Sequence, residues 1–146
     1  MDVNILENIL LDFWRKNCKI RTLSPGGQME GSDCPPDIQK MTQTIEYVSQ
    51  NYNNSLSLRA VASLMHMHRN SLSRLWHKHM KVSFTDYVNK LRIEEAKRLL
   101  HNGNYHYIKQ VAYKVGLRPR YFSTLFKQKV GVTPSEYRRK YINDSV

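Results

Sequence analysis

The chain has 146 residues, enough for one domain of ordinary size or two small lobes with a tail. Lys and Arg number 23 against 12 Asp and Glu, and the resulting net charge of +11 excludes a neutral surface and points to a polyanionic partner, nucleic acid or an acidic membrane face. With 40% of residues apolar the chain is not disordered as a whole, and no apolar run approaches the ~20 residues of a membrane span.

In chain order, residues 1–21 come first, where Ile5, Leu6, Ile9, Leu10, Phe13 and Trp14 recur at helical spacing and predict an amphipathic helix with no visible partner. Packing back on the chain, or forming a homodimer, stays open for such a helix. Its acidic start does not resemble a secretory signal. Residues 22–36, TLSPGGQMEGSDCPP, contain nine Ser, Pro, Gly or Asp among 15 and read as a flexible linker. Cys18 and Cys34 form neither a metal-type pair nor a disulfide framework, which predicts a soluble, reducing, cytosolic setting. The linker also divides the charge. Residues 1–36 carry four basic and five acidic side chains, net −1, whereas residues 37–146 carry 19 and seven, net +12.

After the linker, Ile38, Met41, Ile45, Val48 and Tyr52 predict a further amphipathic helix. Beyond it lies a repeat of period 50: residues 58–88 superpose without a gap on 108–138, with six identities in 31 positions. The identities are Val61/Val111, Ala62/Ala112, Ser73/Ser123, Leu75/Leu125, Val82/Val132 and Tyr87/Tyr137. In the first copy Leu58, Val61, Ala62 and Met65 mark one short helix, and Leu72, Leu75 and Trp76 mark the next. In the second, Ile108, Val111, Ala112 and Val115 precede a stop at Gly116, Pro119 opens the next helix, and Phe122, Leu125 and Phe126 line its buried side. Two short helices around a tight turn make a helix-turn-helix, expected here over about 57–80 and about 107–130. Capping boxes at Ser83–Asp86 and Thr133–Glu136 open the helices that follow. The first of these is a connecting helix over about 83–101 with Tyr87, Val88, Leu91, Ala96, Leu99 and Leu100 inward. At ~1.5 Å per residue it spans ~28 Å, close to the ~34 Å between successive major-groove faces on one side of DNA. The expected fold is all-α: about seven helices in two helix-turn-helix subdomains joined by a long helix, with the amphipathic helix in front.

At this point a family is visible. Val111-Ala112, Val115-Gly116, Tyr121-Phe122-Ser123, Phe126-Lys127 and the run Gly131-Val132-Thr133-Pro134-Ser135-Glu136-Tyr137-Arg138 resemble the C-terminal signature of the AraC/XylS transcription regulators. Leu91-Arg92, Ala96 and Leu99-Leu100 are similar to that family's connecting helix. The resemblance covers roughly residues 38–141. It implies seven helices that insert two recognition helices into adjacent major grooves of an asymmetric promoter site. It further implies a bacterial, cytoplasmic, nucleoid-associated regulator of activator type, with RNA polymerase as a second partner, and makes the helix over residues 1–21 the expected tail of a missing sensing or dimerisation domain. The chain departs from the family pattern at three places. His66 stands where the turn glycine is common, so that turn is expected to differ. The link from Gly116 to Tyr121-Phe122 is one residue short, and Thr124 replaces a frequent basic residue.

Helical geometry selects the reading residues independently. With Leu72 toward the core, steps of ~100° put Asn70, Arg74 and His77 on the opposite face and Ser73 beside them. On Phe122 the same construction exposes Arg120, Thr124 and Lys127, flanked by Ser123. Arg74 and Arg120 suit guanine, Asn70 suits adenine, and Thr124 suits a thymine methyl. The resemblance itself places base contacts at Asn70, Ser73, Arg74, Arg120, Ser123 and Thr124. Phosphate contacts are expected from Lys78, Lys81, Lys129, Arg138 and Arg139, and from helix starts at Ser57, Ser83 and Thr133. Other chemistry is set aside. His77 and His79 lie two apart on a helix and cannot ligate a metal from one face, and Cys34 has no local base. No enzyme, metal or cofactor is expected. The alternative from another class is a basic helical adaptor that binds protein or RNA.

Overall fold

A computed structural model describes residues 35–143, together with Asp12, Phe13 and Lys16. Those three are helical; the rest of the expected N-terminal helix, nearly all of the linker and both cysteines lie outside the described residues. Residues 35–143 form seven helices and no strand: α1 Pro36–Asn51, α2 Leu58–Leu64, α3 Arg69–Met80, α4 Phe84–His101, α5 Ile108–Lys114, α6 Pro119–Val130 and α7 Pro134–Asn143. The all-α architecture read from the repeat is therefore the architecture found. α5 and α6 begin and end 50 residues after α2 and α3, and α7 begins 50 residues after α4.

The turns repeat as faithfully as the helices. In the first copy Met65 N–H donates to Val61 (3.0 Å), His66 to Ser63 (3.1 Å) and Met67 to Ala62 (2.9 Å). In the second, Val115 donates to Val111 (3.1 Å), Gly116 to Tyr113 (3.1 Å) and Leu117 to Ala112 (2.9 Å). Each pattern returns the chain from a left-handed residue, satisfying the last carbonyls of the first helix. His66 takes this conformation at φ 52° and Gly116 at φ 81°. The expectation that the histidine alters its turn is thus corrected: His66 keeps the glycine geometry and bears the strain of a Cβ there. The pairing recurs where α3 and α6 end, with Lys81 at φ 59° and Gly131 at φ 92°. The short link after Gly116 leaves α6 in the same register as α3, because Arg118 and His68 are equivalent extended N-caps.

The described chain divides into two compact units, one of α1–α3 with Phe13, the other of residues 51–57 with α4–α7. In the first unit Ile38, Met41, Ile45, Val48, Val61, Ala62, Leu72, Leu75 and Trp76 are buried, with Phe13 among them. Two threonines buried on α1 are satisfied locally: Thr42 donates to Ile38 (2.9 Å) and Thr44 to Lys40 (2.7 Å). In the second unit Ile93, Ala96, Leu99 and Leu100 of α4 pack with Val111, Ala112, Val115, Leu117, Phe122, Leu125 and Phe126. A ladder of rings then carries this core to α7: Phe122–Phe126 at 5.6 Å, Phe126–Tyr137 at 5.4 Å and Tyr137–Tyr141 at 4.7 Å. Burial, then Tyr141 and Glu94, pushes the Tyr137 phenol up to about 12, so it stays neutral across the ordinary pH range.

Glycine substitutions separate backbone strain from steric contact. A Cβ at Gly103 or Gly131 would meet nothing within 4 Å, whereas at Gly116 it would collide with the Asn53 carbonyl. Gly103→Ala and Gly131→Ala are expected to lose about 1 kcal/mol each in urea unfolding, and Gly116→Ala ~2–4 kcal/mol. The converse, His66→Gly, is expected to raise the urea midpoint, worth ~0.5–1 kcal/mol.

Candidate nucleic-acid interface

Each recognition helix is held by its apolar face and offers the other to solvent. Leu72, Leu75 and Trp76 bury α3, while Phe122, Leu125 and Phe126 bury α6. Opposite them Asn70, Ser73, Arg74 and His77 are all exposed, as are Arg120, Ser123, Thr124 and Lys127. The structure therefore brings each predicted reading set together on one open face of one helix. Neither helix pair contains an Asp or Glu: residues 58–80 carry four Lys or Arg and residues 108–130 carry six. The carboxylates that do reach these cations come from outside the two pairs, Asp86 beside Lys129 and Glu136 near Lys127. Thr124 donates its hydroxyl to the Arg120 carbonyl at 3.2 Å, leaving the methyl as its contact group.

The helix starts differ in how they are capped. His68 is the N-cap of α3, its Nδ1 accepting from Asn70 N–H at 3.3 Å. Ser83 accepts from Asp86 N–H (3.1 Å) and donates to the Asp86 carboxylate (2.8 Å). Thr133 and Glu136 form the full reciprocal box, Glu136 N–H to the hydroxyl at 3.2 Å and Thr133 N–H to the carboxylate at 2.8 Å. Those hydrogen bonds, first from the Thr133 N–H and then from its hydroxyl, hold the Glu136 carboxyl below the usual range.

The candidate phosphate contacts divide by what already engages them. Ser57, Lys78, Lys81, Ser83, Lys129 and Arg139 are exposed and Thr133 is half-buried. Lys129 lies 3.7 Å from the Asp86 carboxylate, a solvated pair of small worth. Arg138 is different: its Nη1 donates to the carbonyls of Tyr105 (3.3 Å) and His106 (2.8 Å). It braces α7 to the loop before α5.

Two further arginine roles escaped the sequence. Arg92, inside the family-like Leu91-Arg92 run, donates from Nε to the Tyr52 carbonyl (2.7 Å) and from Nη2 to Asn54 (2.9 Å). It ties residues 52–54 to α4 beside the turn where Gly116 meets Asn53. Arg98 forks onto Glu95, with contacts of 2.8 and 2.6 Å. Only the resemblance hinted at Arg92, since a basic residue on an exposed-looking helix position carries no signal of a carbonyl partner 40 residues away.

Phe13, 6% exposed, packs edge-on against His79 at 5.8 Å between ring centroids. Burial, then Lys78, lowers the His79 pKa; Asp37 opposes the shift and Lys81 adds to it. A base whose folded pKa lies below the unfolded ~6.5 is protonated more readily unfolded, so stability falls as pH drops through ~6.5. Urea midpoints are accordingly expected to fall between pH ~7.5 and ~5.5, and to fall less in His79→Gln. An equal fall in the variant would remove His79 as the cause. Among the described residues no group of three His, Cys, Asp or Glu is placed to hold a metal, and no helix is long and apolar enough to cross a membrane.

Comparison with known proteins fits this geometry. The helix-turn-helix domain family model matches residues 61–140, more than half of the chain. The uncharacterized HTH-type transcriptional regulator YijO of Escherichia coli (strain K12) is 36% identical over 97 residues, 66% of this chain and 34% of that protein. The chain spans about a third of the length of such curated relatives. The C-terminal domain of AraT, a response regulator from Geobacillus stearothermophilus, superposes with a TM-score of 0.66 at 31% identity, covering 75% of this chain and 88% of that one. The DNA-binding domain of AdpA, a global transcriptional factor solved in complex with a target DNA, gives a TM-score of 0.66 over 70% of this chain and 92% of its own. At 19% identity that likeness is one of fold.

Proposed function

The chain belongs to the AraC-type helix-turn-helix family, and from that premise we propose that it is a sequence-specific double-stranded DNA-binding transcription regulator. Its two recognition helices, α3 and α6, enter adjacent major grooves of an asymmetric promoter site. The observation that carries this reading is the pair of exposed polar faces, on helix pairs that contain no Asp or Glu of their own, at equivalent positions of a 50-residue repeat. Arg74 and Arg120 read guanine, Asn70 reads adenine, Thr124 contacts a thymine methyl, and Ser73, Ser123, His77 and Lys127 complete the sets. Lys78, Lys81, Lys129 and Arg139, with the helix starts at Ser57, Ser83 and Thr133, hold phosphates; Arg138 acts instead through the loop it braces. The cellular setting is the cytoplasm and nucleoid, with RNA polymerase as the second partner. Phe13, packed on His79 within this chain, is in that contact not available to a second copy.

Selection of binding sites from random duplex DNA, followed by graded competition, tests the reading. A preferred asymmetric site of about two helical turns bound by one chain is expected. Indifference to sequence at moderate salt would favour the adaptor alternative. On the selected site Arg74→Ala is expected to cost about 1–3 kcal/mol and relax one base position. Lys129→Ala should weaken all sequences alike and reduce the salt slope by about one; the opposite pattern rejects the face assignment.

A further inference from the structure

Residues 51–57 belong with the second unit, yet the chain reaches them from α1 and runs on into α2, helices of the first. The second unit holds or closely approaches three successive carbonyls of this segment. Arg92 of α4 donates to those of Tyr52 and Asn54, 2.7 and 2.9 Å away, two charge-assisted bonds that bracket Asn53. The Asn53 carbonyl lies so near Gly116 that no Cβ fits between them. The Tyr52 ring is buried in the same place, near Glu95 and Arg98: burial, then Glu95, pushes its phenol up, and Arg98 opposes. The loop leading into the second copy is treated differently. Its brace, Arg138 onto Tyr105 and His106, comes from α7. Gly103, the equivalent of Asn53, faces open space, where a Cβ would meet nothing within 4 Å. The first copy's loop is thus closed on the turn of the other copy, a contact its own helix-turn-helix does not need.

We propose that Arg92 is a positioning residue: by holding residues 52–54 on α4 it fixes the number of base pairs between the bases read by α3 and those read by α6. The inference rests on the two-headed DNA reading above and adds what sets the separation of the heads. The chain passes between the units three times, at residues 50–51, 57–58 and 81–82. With the segment released, the first two passages slacken and the third alone joins the heads. Two binding modules on a slack tether accept varied spacing, whereas a stiff connection selects one. Spacing is a sensitive variable on a duplex, because each added base pair moves the next groove by ~3.4 Å along the axis and about 35° around it. The planar guanidinium reaches two carbonyls at once; a lysine ammonium keeps the charge but not the fork.

The test varies the spacing. Full-length chain, Arg92→Lys and Arg92→Gln are titrated against the DNA site selected as above and against versions with one or two base pairs inserted or removed between its halves. One base pair is expected to cost wild type about tenfold or more in affinity, and the Arg92 variants about threefold or less. Ile93→Val trims the core packed on the same helix and removes neither Arg92 bond, so it is expected to keep the wild-type spacing profile. An equally steep profile in both Arg92 variants overturns the proposal, as does a flat one in wild type. A profile as flat in Ile93→Val overturns it too, by making the effect one of general loosening. Should selection return no preferred site, the regulator reading fails, and the clamp is judged without DNA. Spin labels are then placed at Ser71→Cys and Gln128→Cys, both exposed positions, in chains carrying Cys18→Ser and Cys34→Ser. One narrow distance distribution is expected with Arg92 in place and a broader one in Arg92→Lys; equal widths overturn the clamp.

Discussion

The open polar faces of α3 and α6 hang on two tight reversals of the chain, at residues 65–67 and 115–117. Each is closed by the same three backbone hydrogen bonds around a residue in the left-handed region. That closure turns the chain so that α3 and α6 bury one apolar stripe and leave the polar stripe in solvent. The reversal tolerates either residue type, but for different reasons. At Gly116 a Cβ would collide with the Asn53 backbone, whereas His66 carries its Cβ in the same left-handed region and bears torsional strain. One geometry is therefore met by two chemistries, and the glycine is informative only where a second chain segment closes on it.

The C-terminal run that makes the family recognisable is mostly scaffold. Gly131 ends α6 in the left-handed region, Thr133 and Glu136 cap α7, Tyr137 stacks on Phe126, and Arg138 binds two loop carbonyls. None of these is a base-reading candidate. The reading positions vary freely between the copies: Asn70 against Arg120, Arg74 against Thr124, His77 against Lys127, with only Ser73 and Ser123 alike. A shared scaffold with different side chains on its two open faces is what the proposed asymmetric site would require.

Net charge overstates the surface offered to an anion. Arg92 and Arg138 hold carbonyl oxygens, and Arg98 holds Glu95. These guanidiniums make charge-assisted bonds inside the fold, of the kind that fix one element against another. The cations that remain open are concentrated on α3, α5 and α6 and around α7, where acids are sparse. The +12 counted from the sequence is thus two populations, one structural and one available.

By itself the sequence determined the seven helices, the period of 50, the caps at Ser83 and Thr133 and the exposed polar faces of α3 and α6. All of these are local: hydrophobic spacing, capping chemistry and helical angle act within a few residues, and a repeat doubles the signal. What only the tertiary structure decided are the contacts between distant segments. Residues 51–57, which follow α1 in the chain, pack with the second unit through Arg92 and Gly116. His66 keeps a turn that its residue type disfavours, because the rest of the turn's hydrogen bonds are intact. Arg138, chemically as good a phosphate ligand as Arg139 beside it, is turned inward by two carbonyls that lie 32 and 33 residues away. Composition and spacing rank both arginines equally; only the fold says which one has a partner already.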